Sequence, residues 1–347
     1  MECQGGNAQV NQRPQGTNIP PPERAIYREG RPRTPTAPWQ PEPRPLKRVA
    51  KRKRGLRLSP FLLAVLVLVL SCGCLAVGGG YAAQAAAPRT NVLILGLDRR
   101  PGQGDAVRSD VMMVVGADPQ APSLALLSIP RDLYVEIPGH GQSRINAAHI
   151  WGESGNPGGG PELAMATVRE NFGVGVRHYV RVDFDAFRAV VDAAGGIDVT
   201  VEERIVDNAY PTEDYGTTRI EIPAGEQYMD GELALQYART RHASSDFDRA
   251  ARQQQVLMAL VRKLASPEGL MRLPAVARAG LDHVDTNLGP VEMVQLGVTA
   301  LRVGPDEFEH RVIDRDMVQS WTTPTGGAVL LPRWDVIGPV VEELFGT

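Results

Sequence analysis

Residues 91–347 predict an α/β layered domain, and three observations carry that prediction. Continuous apolar runs of strand length recur between segments of helical period. The runs lack polar alternation, as strands buried on both faces do. Glycine and proline stand at the segment ends. The chain's three cysteines, Cys3, Cys72 and Cys74, all precede this region. The domain must therefore be held by its core alone, for which roughly 260 residues is ample. Thiol catalysis and zinc-thiolate sites are excluded there.

Taken in order, NVLILGL (91–97) and DVMMVVG (110–116) read as buried strands, and SLALLSI (123–129) as a third, ended by Pro130. PELAMATVRENF (161–172) starts with proline in its first turn and stops at Gly173, which predicts a helix. HYVRVDF (178–184) follows as a strand, DAFRAVVDAAGG (185–196) as a helix closed by Gly195, and IDVTV (197–201) as another strand. GELALQYA (231–238) and RAARQQQVLMALVRKL (249–264) have helical period. Beyond Pro267 the pattern weakens, with helices at 290–302 and 335–345. Gly158, Gly159 and Gly160 could approach a phosphate, but read more simply as a flexible loop. There is no internal repeat.

The N-terminal part differs in kind. Residues 1–57 hold ten of the 28 prolines, with 13 basic against 4 acidic side chains, while the remainder has 24 basic and 36 acidic. Too few apolar residues stand in the first 46 to offset the entropy of ordering, so a disordered cytoplasmic tail is expected, with a polyproline ligand as the alternative. Lys47, Arg48, Lys51, Arg52, Lys53, Arg54 and Arg57 lead into an uncharged stretch from Pro60 to Ala83. Roughly 20 apolar residues cross a bilayer, so 58–83 is predicted as a transmembrane helix. The basic cluster orients residues 84–347 outward, through a linker at 84–90, in a single-pass type II arrangement at the cell membrane. A cleaved signal peptide is excluded by the length of the leading segment. Lipoprotein cleavage at Cys72 has a poor sequence context in Val69, Leu70 and Ser71.

Several polar residues stand where chemistry is possible. Asp98 ends the first strand and Asp110 begins the second, so antiparallel pairing would bring both to one rim of the sheet. Magnesium takes one or two carboxylates and completes its shell with water and phosphate oxygens. Taken alone, the two aspartates read more simply as turn caps. Arg108, Arg131, Arg239 and Arg241 add guanidinium groups suited to phosphate oxygens, the last two spaced to share one side of an extended segment. On the helix beginning near Asp246, Val256, Leu257, Leu260, Val261 and Leu264 form one stripe that continues back through Gln253 and Arg249 to Asp246. A core-facing stripe that turns charged at its N-terminal end predicts either a polar cleft or a closed Asp246–Arg249 pair. Nucleophile-elbow, P-loop, zinc-protease and dinucleotide signatures are absent. None of the six histidines has metal-ligand spacing, and only His242, beside Arg241, is kept as a minor candidate.

NVLILGLDRR, RSDVMMV, SIPRDLYVEI, RINAAH, VDFDAFRAVVDAAGGIDV, MDGELALQYARTRH and DFDRAARQQ, in this order, resemble the LytR-CpsA-Psr family of cell-wall glycopolymer ligases. The resemblance runs from Asn91 to the C-terminus. It implies a layered α/β/α domain, with helices around a central mixed sheet and a lipid tunnel beside it. It implies transfer of a teichoic acid or capsule-like glycopolymer from a polyprenyl-pyrophosphate carrier to peptidoglycan, assisted by Mg2+ or another divalent cation. Carried over by motif, Asp98 and Asp110 bind the metal, Arg108, Arg131, Arg239 and Arg241 the pyrophosphate, and Asp246, Arg249 and Gln253 form the helix-borne polar set. Arg131, Arg239, Arg241 and Asp246 are the candidate catalytic residues, with Asp246 as general base. Asp248 stands where the family often has glycine, and the helical angle favours Asp246 as the inward group. The implied partners are the lipid-linked glycan, peptidoglycan and the cell membrane, without nucleic acid. A pyrophosphatase acting at the same site and a non-catalytic carrier-binding or regulatory protein are the alternatives.

Overall fold

The structure, a computed structural model, describes residues 88–99, 103–212, 215–240 and 246–346. The expected tail, the expected span and linker residues 84–87 lie outside these, as do Arg241 and His242. Among the described residues, no helix is long and apolar enough to cross a membrane.

The chain begins with three successive strands, β1 (Thr90–Leu97), β2 (Ser109–Asp118) and β3 (Ser123–Ser128). A hairpin of β4 (Tyr134–Ile137) and β5 (Gly141–Arg144) leads to α1 (Ala147–Gly155) and α2 (Gly160–Phe172). Then come β6 (His178–Val182), α3 (Phe184–Ala193), β7 (Ile197–Val201), β8 (Ile205–Pro211), β9 (Thr217–Ile222) and β10 (Gly225–Met229). Three helices follow, α4 (Gly231–Arg239), α5 (Asp246–Ala265) and α6 (Pro267–His283). The last part holds β11 (Asp285–Thr286), α7 (Pro290–Val303), β12 (Glu309–Val312), the hairpin β13 (Val318–Thr322) and β14 (Ala328–Pro332), and α8 (Trp334–Phe345).

The central sheet has six strands in the order β11-β6-β1-β2-β3-β12. β2 runs antiparallel to both β1 and β3, whereas β6 runs parallel to β1 and β12 parallel to β3, so the sheet is mixed as expected. Strand side chains alternate between faces. Leu93, Leu95, Met112, Val114 and Leu127 join a buried core with α1, α2 and α8. Ile94, Val111, Met113, Val115 and Leu126 point the other way, toward Leu257 and Met258 of α5. A separate core of Val191, Ile197, Val199, Ile222, Met229 and Val256 joins α3 and α5 to the small sheets.

The principal strands and helices lie within a few residues of their predicted limits. β6 stops two residues before Phe184, because the Asp183 carboxylate accepts from the Ala186 N–H and caps α3. α6 was not predicted. It carries Pro274 in its interior, which breaks a helical pattern in sequence but is tolerated on this exposed helix. The glycine run at 158–160 is a packed joint, not the flexible loop expected: a Cβ on Gly152 of α1 would lie 2.4 Å from the Gly159 carbonyl oxygen.

Candidate active site

The two aspartates come together through a register shift. Gly96 pairs with Val111 but Leu97 pairs with Ser109, so Asp110 is the extra residue of a bulge and Asp98 follows directly at the same sheet end. Glycine is needed at position 96, where an added Cβ would lie 2.8 Å from the Val111 side chain.

Each aspartate faces an arginine from elsewhere in the chain. Arg239, the last residue of α4, donates from Nη2 to Asp98 Oδ2 at 3.0 Å and from Nη1 to the Pro211 carbonyl at 3.0 Å. Its guanidinium lies over the Phe184 ring, 4.4 Å from the centroid, and beside Tyr210. Stacking and hydrogen bonds together hold the planar group in one orientation. Arg131, just past β3, donates from Nη1 to Asp110 Oδ1 at 2.8 Å and lies 3.4 Å from Asp132 and 3.8 Å from Asp246. Burial opposes its charge, but Asp110, Asp132 and Asp246 outweigh this and raise its pKa above the ordinary guanidinium value.

α5 supplies the third side. Buried Arg249 lies 2.9 Å from Asp246, so the ion pair forms. The same two residues also line a small polar pocket with Asp110, Arg131, Asp132 and Gln253, so the pair and the cleft coexist. The Asp246 side chain is 44% exposed and reaches both arginines, while Asp248 lies on the exposed side of the helix. Gln253 donates to the Ala238 carbonyl, tying α5 to the end of α4. Arg252 donates to the Tyr237 and Thr240 carbonyls, which fixes the chain where it leaves α4.

Behind this polar head lies a cavity of about 310 Å³. Ile94, Val111, Met113, Phe187, Leu257 and Leu260 are typical of its wall, and among the described residues Asp110, Asp183, Arg239, Arg249 and Gln253 are its only charged or amide side chains. Asp110, Arg249 and Gln253 also line the small pocket, so they separate an apolar chamber from an ionic one. The predicted stripe on α5 is therefore real, but Leu257 and Leu260 face space where a core was expected.

Of the predicted residues, Asp98, Asp110, Arg131, Arg239, Asp246, Arg249 and Gln253 gather at this one end of the sheet. Arg108 is exposed on the loop before β2 and lines neither chamber. Arg239 ends a helix, so it does not sit in the extended segment expected; Arg241 lies outside the described residues. Sequence reasoning missed Asp132, which bridges Arg131 and Arg144, although it directly follows Arg131. It also missed the Phe184 and Tyr210 platform, for which no local pattern exists. Among the described residues no group of three or more His, Cys, Asp or Glu could hold a metal. Asp98 and Asp110 nevertheless suit a cation that takes two carboxylates and completes its shell from phosphate and water.

The model of the LytR_cpsA_psr family matches residues 81–325. The polyisoprenyl-teichoic acid–peptidoglycan teichoic acid transferase TagU of Oceanobacillus iheyensis is 34% identical over 200 residues, which is 57% of this chain and 58% of that protein. The matched segment thus spans less than two thirds of that relative's length. Regulatory protein MsrR of Staphylococcus aureus is 30% identical over 246 residues, 70% of each chain. Among solved structures, Bacillus subtilis TagV superposes with a TM-score of 0.61 at 27% identity, over 75% of this chain and 98% of that one. TagT bound to LIIa-WTA gives a TM-score of 0.61 at 27% identity, over 76% and 93%.

Proposed function

We propose, from the premise that this chain belongs to the LytR_cpsA_psr family, that it transfers a glycopolymer from a polyprenyl-pyrophosphate carrier to peptidoglycan outside the cell membrane. The observation that carries this reading is one apolar chamber ending in a cluster of arginines and carboxylates. A polyprenyl tail matches the chamber and a pyrophosphate matches the head. The relatives named as teichoic acid transferases and the TagT structure with LIIa-WTA support the reaction class.

In this mechanism Arg131, Arg239 and Arg249 neutralise the pyrophosphate and hold it in line with the acceptor. A sugar hydroxyl of peptidoglycan attacks the glycan-bearing phosphorus. The new P–O bond forms as the bond to the bridging oxygen breaks, and polyprenyl monophosphate leaves with that oxygen. The hydroxyl proton passes to Asp246, whose carboxylate stands partly open to solvent beside both arginines. Asp98 and Asp110 would hold Mg2+, which supplies further charge neutralisation when bound. Positioning and preorganised charge supply most of what a protein offers to phosphoryl transfer.

The test is to incubate the purified full chain with a lipid-linked glycan, Mg2+ and peptidoglycan oligomers. A glycan–peptidoglycan conjugate supports transfer. Free phosphorylated glycan would instead identify a pyrophosphatase, and an intact bound lipid a non-catalytic carrier-binding or regulatory protein. Removing divalent cations should lower transfer by more than about tenfold, restored by Mg2+.

A further inference from the structure

Among the described residues, apolar side chains are exposed mainly on two helices consecutive in the chain. Leu270, Met271, Leu273 and Leu281 of α6 and Val291, Met293, Val294 and Leu301 of α7 make up eight of the twelve large exposed apolar residues described. Single exposed apolar residues need no explanation, but four on one helix of 14 residues mark a candidate interaction surface on α7.

The place of α7 in the fold says what covers it. Just before α7, Asn287 bonds to the backbone at the start of β6, accepting from the Tyr179 N–H and donating to the Arg177 carbonyl. Near the end of α7, Arg302 donates to the Pro119 carbonyl in the β2–β3 turn, and Leu296, Ala300 and Val303 pack on Ala117 and Leu124. α7 therefore crosses beneath the sheet at the end where β1 begins, opposite the ionic head. At 100° per residue Val291, Val294, Val298 and Leu301 share one face and Leu296, Ala300 and Val303 the other. Val291 and Val294 are 63% and 62% exposed. Only Glu292 and Arg302 are charged among the helix's 14 residues.

Two further observations point to a lipid surface. The inner face of α7, through Leu296, Gly297 and Ala300, lines a second apolar cavity of about 280 Å³. This cavity shares Ile94, Val180 and Leu257 with the first, so the two adjoin across these three side chains and form an apolar gallery in two parts between α7 and the arginines. In addition, the stretch predicted from sequence to span the membrane ends at Ala83, and β1 starts at Thr90. The six residues between them reach at most roughly 20 Å, which keeps this end of the sheet near the bilayer.

We propose that the outer face of α7 rests in the outer leaflet of the membrane, so that a carrier tail passes from the bilayer beneath α7 into the gallery. The seat rests on the predicted span, and the loading role on the function proposed above.

The seat is tested on the full-length chain in phosphatidylglycerol vesicles, with Cys3, Cys72 and Cys74 changed to serine. An environment-sensitive fluorophore is placed at Val294→Cys, at Leu301→Cys, or at Ser320→Cys on β13 as a control. Blue-shifted emission, quenched by bromolipid at 294 and 301 but not at 320, is the expected result. Aqueous emission at all three positions, or energy transfer between copies at 294 without lipid quenching, would overturn the seat. A second variant, V291N/V294N/L301N, should lose at least tenfold in transfer from long-chain carriers in vesicles and none with a short, water-soluble carrier. Equal loss with both carriers rejects the loading role. Absence of transfer by the unaltered chain with either carrier would reject the proposed function, while the quenching result would still decide the seat.

Discussion

The two faces of the central sheet are made by alternate residues of the same strands, yet they are filled differently. On one side Leu93, Leu95 and Val114 meet α1, α2 and α8 and are almost wholly excluded from solvent. On the other, Ile94, Val111 and Met113 meet α3, α4 and α5 across an open apolar chamber. A packed face gains dispersion contacts from every atom it buries, whereas a side chain bordering a void lacks partners on that side. Apolar space of this kind accepts an apolar guest. The difference teaches a division of labour: one face supplies stability, and the other holds a site open.

Several measurements would break or sharpen that contrast. The largest effect is expected at the head of the open face. Arg131→Ala or Arg239→Ala should lower transfer by roughly 10²–10³-fold, as loss of one preorganised donor does, while melting temperature changes little. Normal turnover by both variants would remove their proposed roles. Next, Leu95→Ala on the packed face should cost about 2–5 kcal/mol of stability, but Leu257→Ala on the open face about 1 kcal/mol or less, because its side chain already borders space. Equal losses in denaturant titrations would mean that the two faces are packed alike. Filling the chamber with Ala238→Leu should weaken carrier binding about tenfold or more without loss of stability, read by direct titration with polyprenyl pyrophosphate.

The smallest effect belongs to His149, buried on α1 at the packed face. Its Nδ1 donates to the Val107 carbonyl at 2.8 Å, anchoring the loop that leads to Asp110. Burial, aided by Arg181, lowers its pKa below the ordinary 6.5, against the Val107 bond, Glu153 and Asp105. The unfolded chain therefore binds this proton more readily than the folded one. The contribution is fully present above about pH 6.5 and fades as pH falls from there through the folded pKa. His149→Gln should flatten the melting-temperature profile across that window; an unchanged slope would assign the acid sensitivity to other groups.

Much of this was legible in the amino-acid order. Strand-length apolar runs set β1, β2 and β3, and the position of Asp98 and Asp110 at facing strand ends followed from antiparallel pairing. The α5 stripe, with Asp246, Arg249 and Gln253 at its start, was readable from helical angle alone. α6 was not, because Pro274 breaks the local signal while contacts with α3 and α5 hold the helix. Phe184 and Tyr210 were not legible either, since neither has any local relation to Arg239. Asp132 was adjacent to a recognised residue, but its bridge to Arg144 depends on the fold.

Local order thus determined which side chains leave water, on which face of which element, and where charge interrupts an apolar stripe. Tertiary structure alone decided whether those side chains meet atoms or open space, and which distant charges become neighbours: Arg239 and Asp98 are 141 positions apart in the chain. The reason is physical. Periodicity encodes the preference of a residue for an apolar surrounding, whereas the distance between a helix and a sheet is set by long-range pairing and by side chains elsewhere in the fold.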